Sequence, residues 1–248
     1  MSTATTRTVL LFGAYGGVGS TLARALHADG VQLAVSGRDQ DRLTEIANEV
    51  GGLALPGDAS DFDAVDGVVR ETLEHFGSID GVVSCVGSVL LKPAHITRPE
   101  EFLSTLHINL TSSFAILRSA VRPMMRGDGG SLVFVSTAAA SLGLPNHEAI
   151  AAAKGGIDAL VRSAAATYGK AGIRVNAVAP GLVDTPLTAR ITGSESARAS
   201  SEAMHALGRL GAPEDVAHAI RWLLSDEASW VTGQSIGVDG GLGSVRSA

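Results

Sequence analysis

The chain has a single cysteine, Cys85, in 248 residues, which excludes an internal disulfide framework and any zinc site built on several thiolates. Aromatic residues make up only 4%, and two of them are tyrosines, Tyr15 and Tyr168. There is no run of Lys or Arg and the formal net charge is −6, which argues against a nucleic-acid surface. No apolar stretch reaches the ~18 residues needed to cross a bilayer. The polar stretch Met1–Thr8 also lacks the apolar segment of a signal peptide. What the chain does contain is 45% hydrophobic residues, 18% charged residues and 30 glycines against 8 prolines, a balance foreign to disordered, collagen-like or coiled-coil chains. Because α/β folds often run to about 250 residues undivided, one domain spanning 1–248 is expected. The expectation is a soluble, cytoplasmic protein with no metal site, no nucleic-acid partner and no membrane partner.

Short β-rich runs alternate with longer helical ones along the chain. The strand-like runs are Thr8–Phe12, Gln32–Ser36, Gly52–Leu55, Gly81–Cys85, Ser131–Ser136, Arg174–Ala179 and Ser235–Val238. They are nearly continuous in Val, Leu and Ile, as strands covered on both faces require. Helical patterns fill Ser20–Ala28, Asp41–Glu49, Phe62–His75, Glu100–Met125, Glu148–Gly169 and Pro213–Leu224, and Thr97 to Glu100 reads as a capping box. This alternation predicts right-handed βαβ units in a doubly wound, Rossmann-type α/β fold with a parallel sheet of about seven strands. Pro186–Leu207, rich in Ser, Ala and Thr, fits neither pattern and is expected to form a flexible lid or mobile helical insert over a substrate site.

The first strand runs into Gly13-Ala14-Tyr15-Gly16-Gly17-Val18-Gly19, which opens a helix. Glycines there let the backbone turn sharply and approach a pyrophosphate, while a helix start offers free N–H groups and the positive end of its dipole. The second strand ends at Ser36-Gly37-Arg38. An Asp or Glu at this strand end would accept from a ribose 2′-hydroxyl and repel a 2′-phosphate. None stands there, and Arg38 offers a fork of donors to that phosphate. These residues predict NADPH over NADH.

The spacing of Gly13, Gly17 and Gly19 resembles the GxxxGxG loop of the short-chain dehydrogenase/reductase family, and the likeness continues from Thr8 to Gly241. Asp58 and Ala59 resemble the family's adenine-contacting pair. Gly87 matches the glycine of its NNAG motif, the rest of which is absent. Asn109 matches its helix asparagine. The run Asn176 to Gly181 matches NAVAPG, and Val183 and Thr185 fall where the family contacts the carboxamide and phosphates. The resemblance implies that Gly13, Tyr15, Gly16, Gly17, Val18, Gly19, Arg38, Asp58, Ala59, Gly87, Lys154, Pro180, Gly181, Val183 and Thr185 bind the nucleotide. It also implies a dimer or tetramer through the alanine-rich helix Glu148–Gly169.

One part of the pattern is missing. The family carries YxxxK with a serine thirteen residues before the tyrosine; here Lys154 is present, the tyrosine position is Ile150, and the serine position is Thr137. Tyr168 lies about 21 Å beyond Lys154 along a helix rising 1.5 Å per residue, so it cannot stand in. A positioned general acid is worth roughly 10²–10⁴ in rate, whereas holding hydride donor and acceptor together supplies about 7–11 kcal/mol. Hydride transfer therefore survives the loss if the new alkoxide finds a proton. Thr137 is a poor acid and better suited to donate a hydrogen bond to an oxyanion. Water relayed by Asn109 and Lys154 is a second source, and a phenol next to the substrate ketone is a third. Lys154 is expected to hold the nicotinamide ribose. Asn109 reads equally as a helix-kink, water-binding or catalytic residue. His147, Glu148, His107, His205 and Cys85 read as solvated or packing residues. The leading expectation is an NADPH-dependent reductase of a polycyclic aromatic polyketide ketone, since the chain resembles reductases that tailor such compounds. Non-catalytic nucleotide binding and reduction of an activated C=C bond are the alternatives.

Overall fold

A computed structural model describes residues 7–245, so most of the polar stretch Met1–Thr8 lies outside the described residues. Seven strands form one all-parallel sheet: β1 (Thr8–Phe12), β2 (Gln32–Gly37), β3 (Leu53–Pro56), β4 (Gly81–Ser84), β5 (Gly130–Val135), β6 (Ile173–Pro180) and β7 (Ser235–Val238). Their order across the sheet is β3-β2-β1-β4-β5-β6-β7. Alternating side chains of one strand feed opposite cores. Leu10 and Phe12 of β1 join Leu132, Phe134, Ile116 and Ile157 on one side, while Val9 and Leu11 join Leu22, Leu33, Val133 and Ile220 on the other. With water excluded from both faces, both sets of positions favour apolar residues, which explains the nearly continuous apolar runs, and the few polar ones are small or, like Asn176, hydrogen-bonded to backbone.

One face is covered by α1 (Gly17–Ala28), α2 (Gln40–Glu49) and α9 (Pro213–Leu224), the other by α3 (Phe62–Phe76), α5 (Ser112–Met124) and α6 (Glu148–Tyr168), while α4 (Pro99–Leu106) packs against α6 rather than the sheet. Strand order reverses between β1 and β4, whose ends are in register through Phe12 and Ser84. In doubly wound sheets this reversal opens a crevice beyond the carboxyl ends of the strands, and Gly13 lies at its edge.

Two expectations need correction, and the segment 186–207 takes the helical one of its two expected forms. The single helical run 100–125 is split by a π turn at His107–Thr111. A wide turn shifts backbone bonds out of their usual register, and polar side chains take up the carbonyls. The Asn109 amide donates to Thr105 O at 2.9 Å, and the Ser113 hydroxyl to Asn109 O at 2.8 Å. The cap of α4 also sits one residue later than expected. Glu101, rather than Glu100, accepts from the Arg98 backbone N–H at 2.9 Å, while the Thr97 hydroxyl donates to Pro93 O. Finally, the segment 186–207 is largely helical, forming α7 (Ala189–Thr192) and α8 (Glu195–Met204), the latter capped by the Ser194 hydroxyl. No helix among the described residues is long and apolar enough to cross a membrane.

Candidate active site

The crevice at the β1–β4 reversal is built by the glycine loop. Gly13 has φ +76°, and a Cβ there would lie 2.9 Å from the Cys85 carbonyl carbon. A Cβ on Gly19 would drive into the carbonyl of Gly13. Any larger residue at either place closes the loop's approach to the sheet. The first turn of α1 starts at Gly17 behind the N-cap Gly16 and has backbone N–H groups with no intrahelical acceptor, a donor set suited to a pyrophosphate.

Tyr15 folds back from the loop against Gly37, and its hydroxyl accepts from the backbone N–H groups of Arg38 and Asp39 at 3.1 Å each. The Arg42 guanidinium lies over the Tyr15 ring, 4.6 Å from its centroid, and donates to Tyr15 O. Arg38 stays exposed beside this stack, while Ser36 is fully buried. No carboxylate stands at the β2 end to receive a ribose hydroxyl. Asp58 accepts from the Ser60 N–H and hydroxyl at 2.9 and 2.7 Å. Burial opposes its ionisation, but the Ser60 bonds and the nearby charges of Arg38 and His107 prevail and hold it below the usual carboxylate value.

Gly13, Tyr15, Gly16, Gly17, Val18, Gly19, Arg38, Asp58, Ala59, Gly87 and Thr185 all line this cleft. A second, more apolar pocket adjoins it and shares Val18, Cys85, Gly87, Val135 and Thr185. The second pocket contains Thr137, Ile150, Lys154, Pro180, Gly181 and Val183. Lys154 is only 6% exposed, and its Nζ donates to Val135 O at 2.7 Å, with further N–H groups left for a ligand. Burial pulls its pKa down to about 8, partly opposed by the charge of Asp158. Desolvation pushes the Cys85 thiol up to about 12, so it stays protonated and is no nucleophile near neutral pH.

Asn109 lines neither cavity. Its side chain supports the Gly87–Ser88 turn from behind, accepting from Ser88 N at 3.2 Å and donating to Ser88 Oγ at 3.0 Å. A Cβ on Gly87 would stand 3.0 Å from Asn109 Oδ1 and 3.4 Å from Lys154 Nζ, so the three residues meet at the seam between cleft and pocket. The Thr137 hydroxyl makes only long contacts, to Pro180 O at 3.5 Å and from Ala139 N at 3.4 Å. Ile150, 5% exposed, presents an apolar wall where the family pattern has its phenol.

Sequence reasoning missed several contributors. Arg42, in the first turn of α2 and four residues after Arg38, is the basic residue that packs on Tyr15. Leu187 belongs to both cavities. His205, expected as a packing or solvated residue, is buried beneath Gly181, with Nδ1 on Ser201 O at 2.7 Å and Nε2 accepting from Leu182 N at 3.1 Å.

Comparisons agree with this geometry. A family model described as enoyl-(acyl carrier protein) reductase matches residues 13–243. The 3beta-hydroxysteroid dehydrogenase 1 of Eggerthella lenta is 35% identical over 243 residues, covering 95% of this chain and 93% of that one. A short-chain type dehydrogenase/reductase from Mycobacterium ulcerans superposes with TM-score 0.92 at 35% identity, covering 97% of this chain and 90% of that one. The chain is a short-chain dehydrogenase/reductase. Members of this family are oxidoreductases that use NAD(P)H and act on hydroxyl and keto groups. This short-chain dehydrogenase/reductase is also similar to a point variant of the actinorhodin polyketide ketoreductase solved with NADPH, at TM-score 0.93 and 25% identity over 99% of this chain and 100% of that one. The nucleotide fits the cleft as built: a glycine turn without room for Cβ, a helix start with free N–H groups, and a buried ammonium with donors to spare.

Proposed function

We propose that the protein is an NADPH-dependent ketoreductase that reduces a carbonyl of a polycyclic aromatic, angucyclinone-like polyketide without a tyrosine acid, as a step in making an antibiotic. Its replacement of the acid resembles the angucyclinone C7 ketoreductase of simocyclinone biosynthesis. The observation that carries the reading is the apolar wall at Ile150 set one turn from Lys154, with the nucleotide cleft complete beside it.

Bound NADPH supplies the hydride to the carbonyl carbon. The first turn of α1 and the Arg38 fork hold its phosphates, and Lys154 holds the ribose beside the seam. Asn109 keeps the Gly87 turn in place. Thr137 Oγ1 donates to the developing oxyanion. Ile150 offers no proton, so the alkoxide takes one from a phenol already hydrogen-bonded to it in the substrate, and the phenolate is reprotonated from water. The segment 186–207 serves as the lid. A homodimer or homotetramer through α6 is part of the reading. It is supported by the exposed small residues Ala152, Ala159 and Ala166 at heptad spacing, and by the half-exposed Phe114 on neighbouring α5.

The test is NADPH consumption with a polycyclic ketone bearing a free neighbouring phenol, its methyl ether, and a simple ketone. Turnover confined to the free phenol is expected. Equal rates for phenol and ether would eliminate the self-supplied proton. Tight NADPH binding with no turnover on any of the three would support a non-catalytic binding protein instead. Light scattering at micromolar concentration decides the oligomer.

A further inference from the structure

Four titratable side chains line the substrate pocket: Cys85, His147, Lys154 and His205. Cys85 is held protonated, Lys154 faces the seam, and both ring nitrogens of His205 are engaged within the protein. His147 differs from all three. Its Nδ1 lies 2.8 Å from Pro145 O, which can only accept, so Nδ1 carries the proton and Nε2 of the neutral ring is left as an acceptor. Among the described residues Nε2 has no partner.

The backbone that carries the ring is also tied down. Asn146, immediately before it, is the only described non-glycine residue with positive φ, at 65°. A left-handed residue of this kind costs free energy and persists where the surroundings impose it. Here Asn146 O accepts from Lys92 N at 2.8 Å, and Lys92 Nζ in turn binds Glu101 at 2.7 Å, tying the turn to the first turn of α4. His147 then becomes the N-cap of α6, so that His147, Ile150 and Lys154 fall at i, i+3 and i+7 on one stripe of the helix.

We propose that His147 is the specificity-determining residue of the pocket. Its Nε2 accepts a hydrogen bond from a substrate hydroxyl located about one helical turn beyond the reacting carbonyl. The inference rests on the aromatic-substrate reading above but adds a requirement to it: the far part of the substrate must present a donor. An ether or unsubstituted ring at that place offers Nε2 no donor.

The test measures binding rather than turnover. A hydroxyanthraquinone and its O-methyl ether are titrated into the NADP-loaded protein, with dissociation constants read from fluorescence. The wild type is expected to prefer the free hydroxyl by about three- to tenfold, the scale of one ordinary hydrogen bond. H147F should erase that preference while NADPH affinity is unchanged, and H147Q, which retains an acceptor oxygen, should restore part of it. A wild type that binds both probes equally, or neither, overturns the proposal, as does an H147F variant that keeps the preference. Probe discrimination without reduction of any ketone would defeat the ketoreductase reading and leave this one standing. Reduction with no discrimination would do the reverse.

Discussion

The two cavities that meet at Gly87 are built on different principles. The nucleotide cleft is made by backbone: glycines that leave no space for a Cβ, a helix start, and a strand end without a carboxylate. The neighbouring pocket is made by side chains on α6, on the turn before it and on the segment 186–207, and there the family's acid has been replaced by isoleucine. Backbone sites tolerate almost no change, because a single methyl group meets main-chain atoms. Side-chain sites can lose their most characteristic residue and keep their shape. A chain can therefore keep its cofactor while its substrate chemistry changes.

Substitutions on each side of the seam would test this difference. The largest effect is expected from I150Y, which returns a phenol to the wall one turn from Lys154. Reduction of a simple ketone should rise by roughly 10²–10⁴ in kcat, the value of a positioned acid. A gain below about threefold would mean that the pocket no longer presents a carbonyl at that place. On the other side of the seam, G19A forces a Cβ into Gly13 O and should cost about 1–3 kcal/mol of stability together with measurable NADPH binding, read by melting and titration. R38S is expected to lower the preference for NADPH over NADH by about ten- to a hundredfold, since a hydrogen bond between ions contributes about 1.5–3 kcal/mol. The smallest effect concerns acidity. The Lys154 ammonium is lost as pH rises through about 8, so NADPH affinity should fall above that pH, and K154M should flatten the profile. An unchanged profile in K154M would mean that another group governs the dependence.

Much of this architecture was legible in advance. All seven strands fall within a residue or two of their expected bounds because their two buried faces are filled mostly by apolar residues, and the glycine spacing announced the cleft. Other features left weaker traces. The π turn at His107–Thr111 interrupts no hydrophobic stripe, so nothing in the apolar pattern distinguishes it from continuous helix. The helices of the 186–207 segment are short, and α8 buries only Ser201, so few apolar residues mark them. Arg42 reaches Tyr15 across 27 positions of chain, a contact that only folding reveals. His147 reads from the sequence as a loop residue with polar neighbours near the pocket, and the partly exposed ring does line it, after the left-handed turn at Asn146.

Helix α6 carries both anchor and wall. Between Lys154 and Ile150 lies one turn of a stiff rod, about 6 Å along its axis. Under the proposed function that interval would work as a ruler: with the nicotinamide sugar on Lys154, its span to the reacting group would be set by helical pitch and could not stretch for a longer guest. Adaptation to substrates of different breadth must come from the opposite bank, where α7 and α8 belong to no sheet and are free to drift in evolution without disturbing the measure.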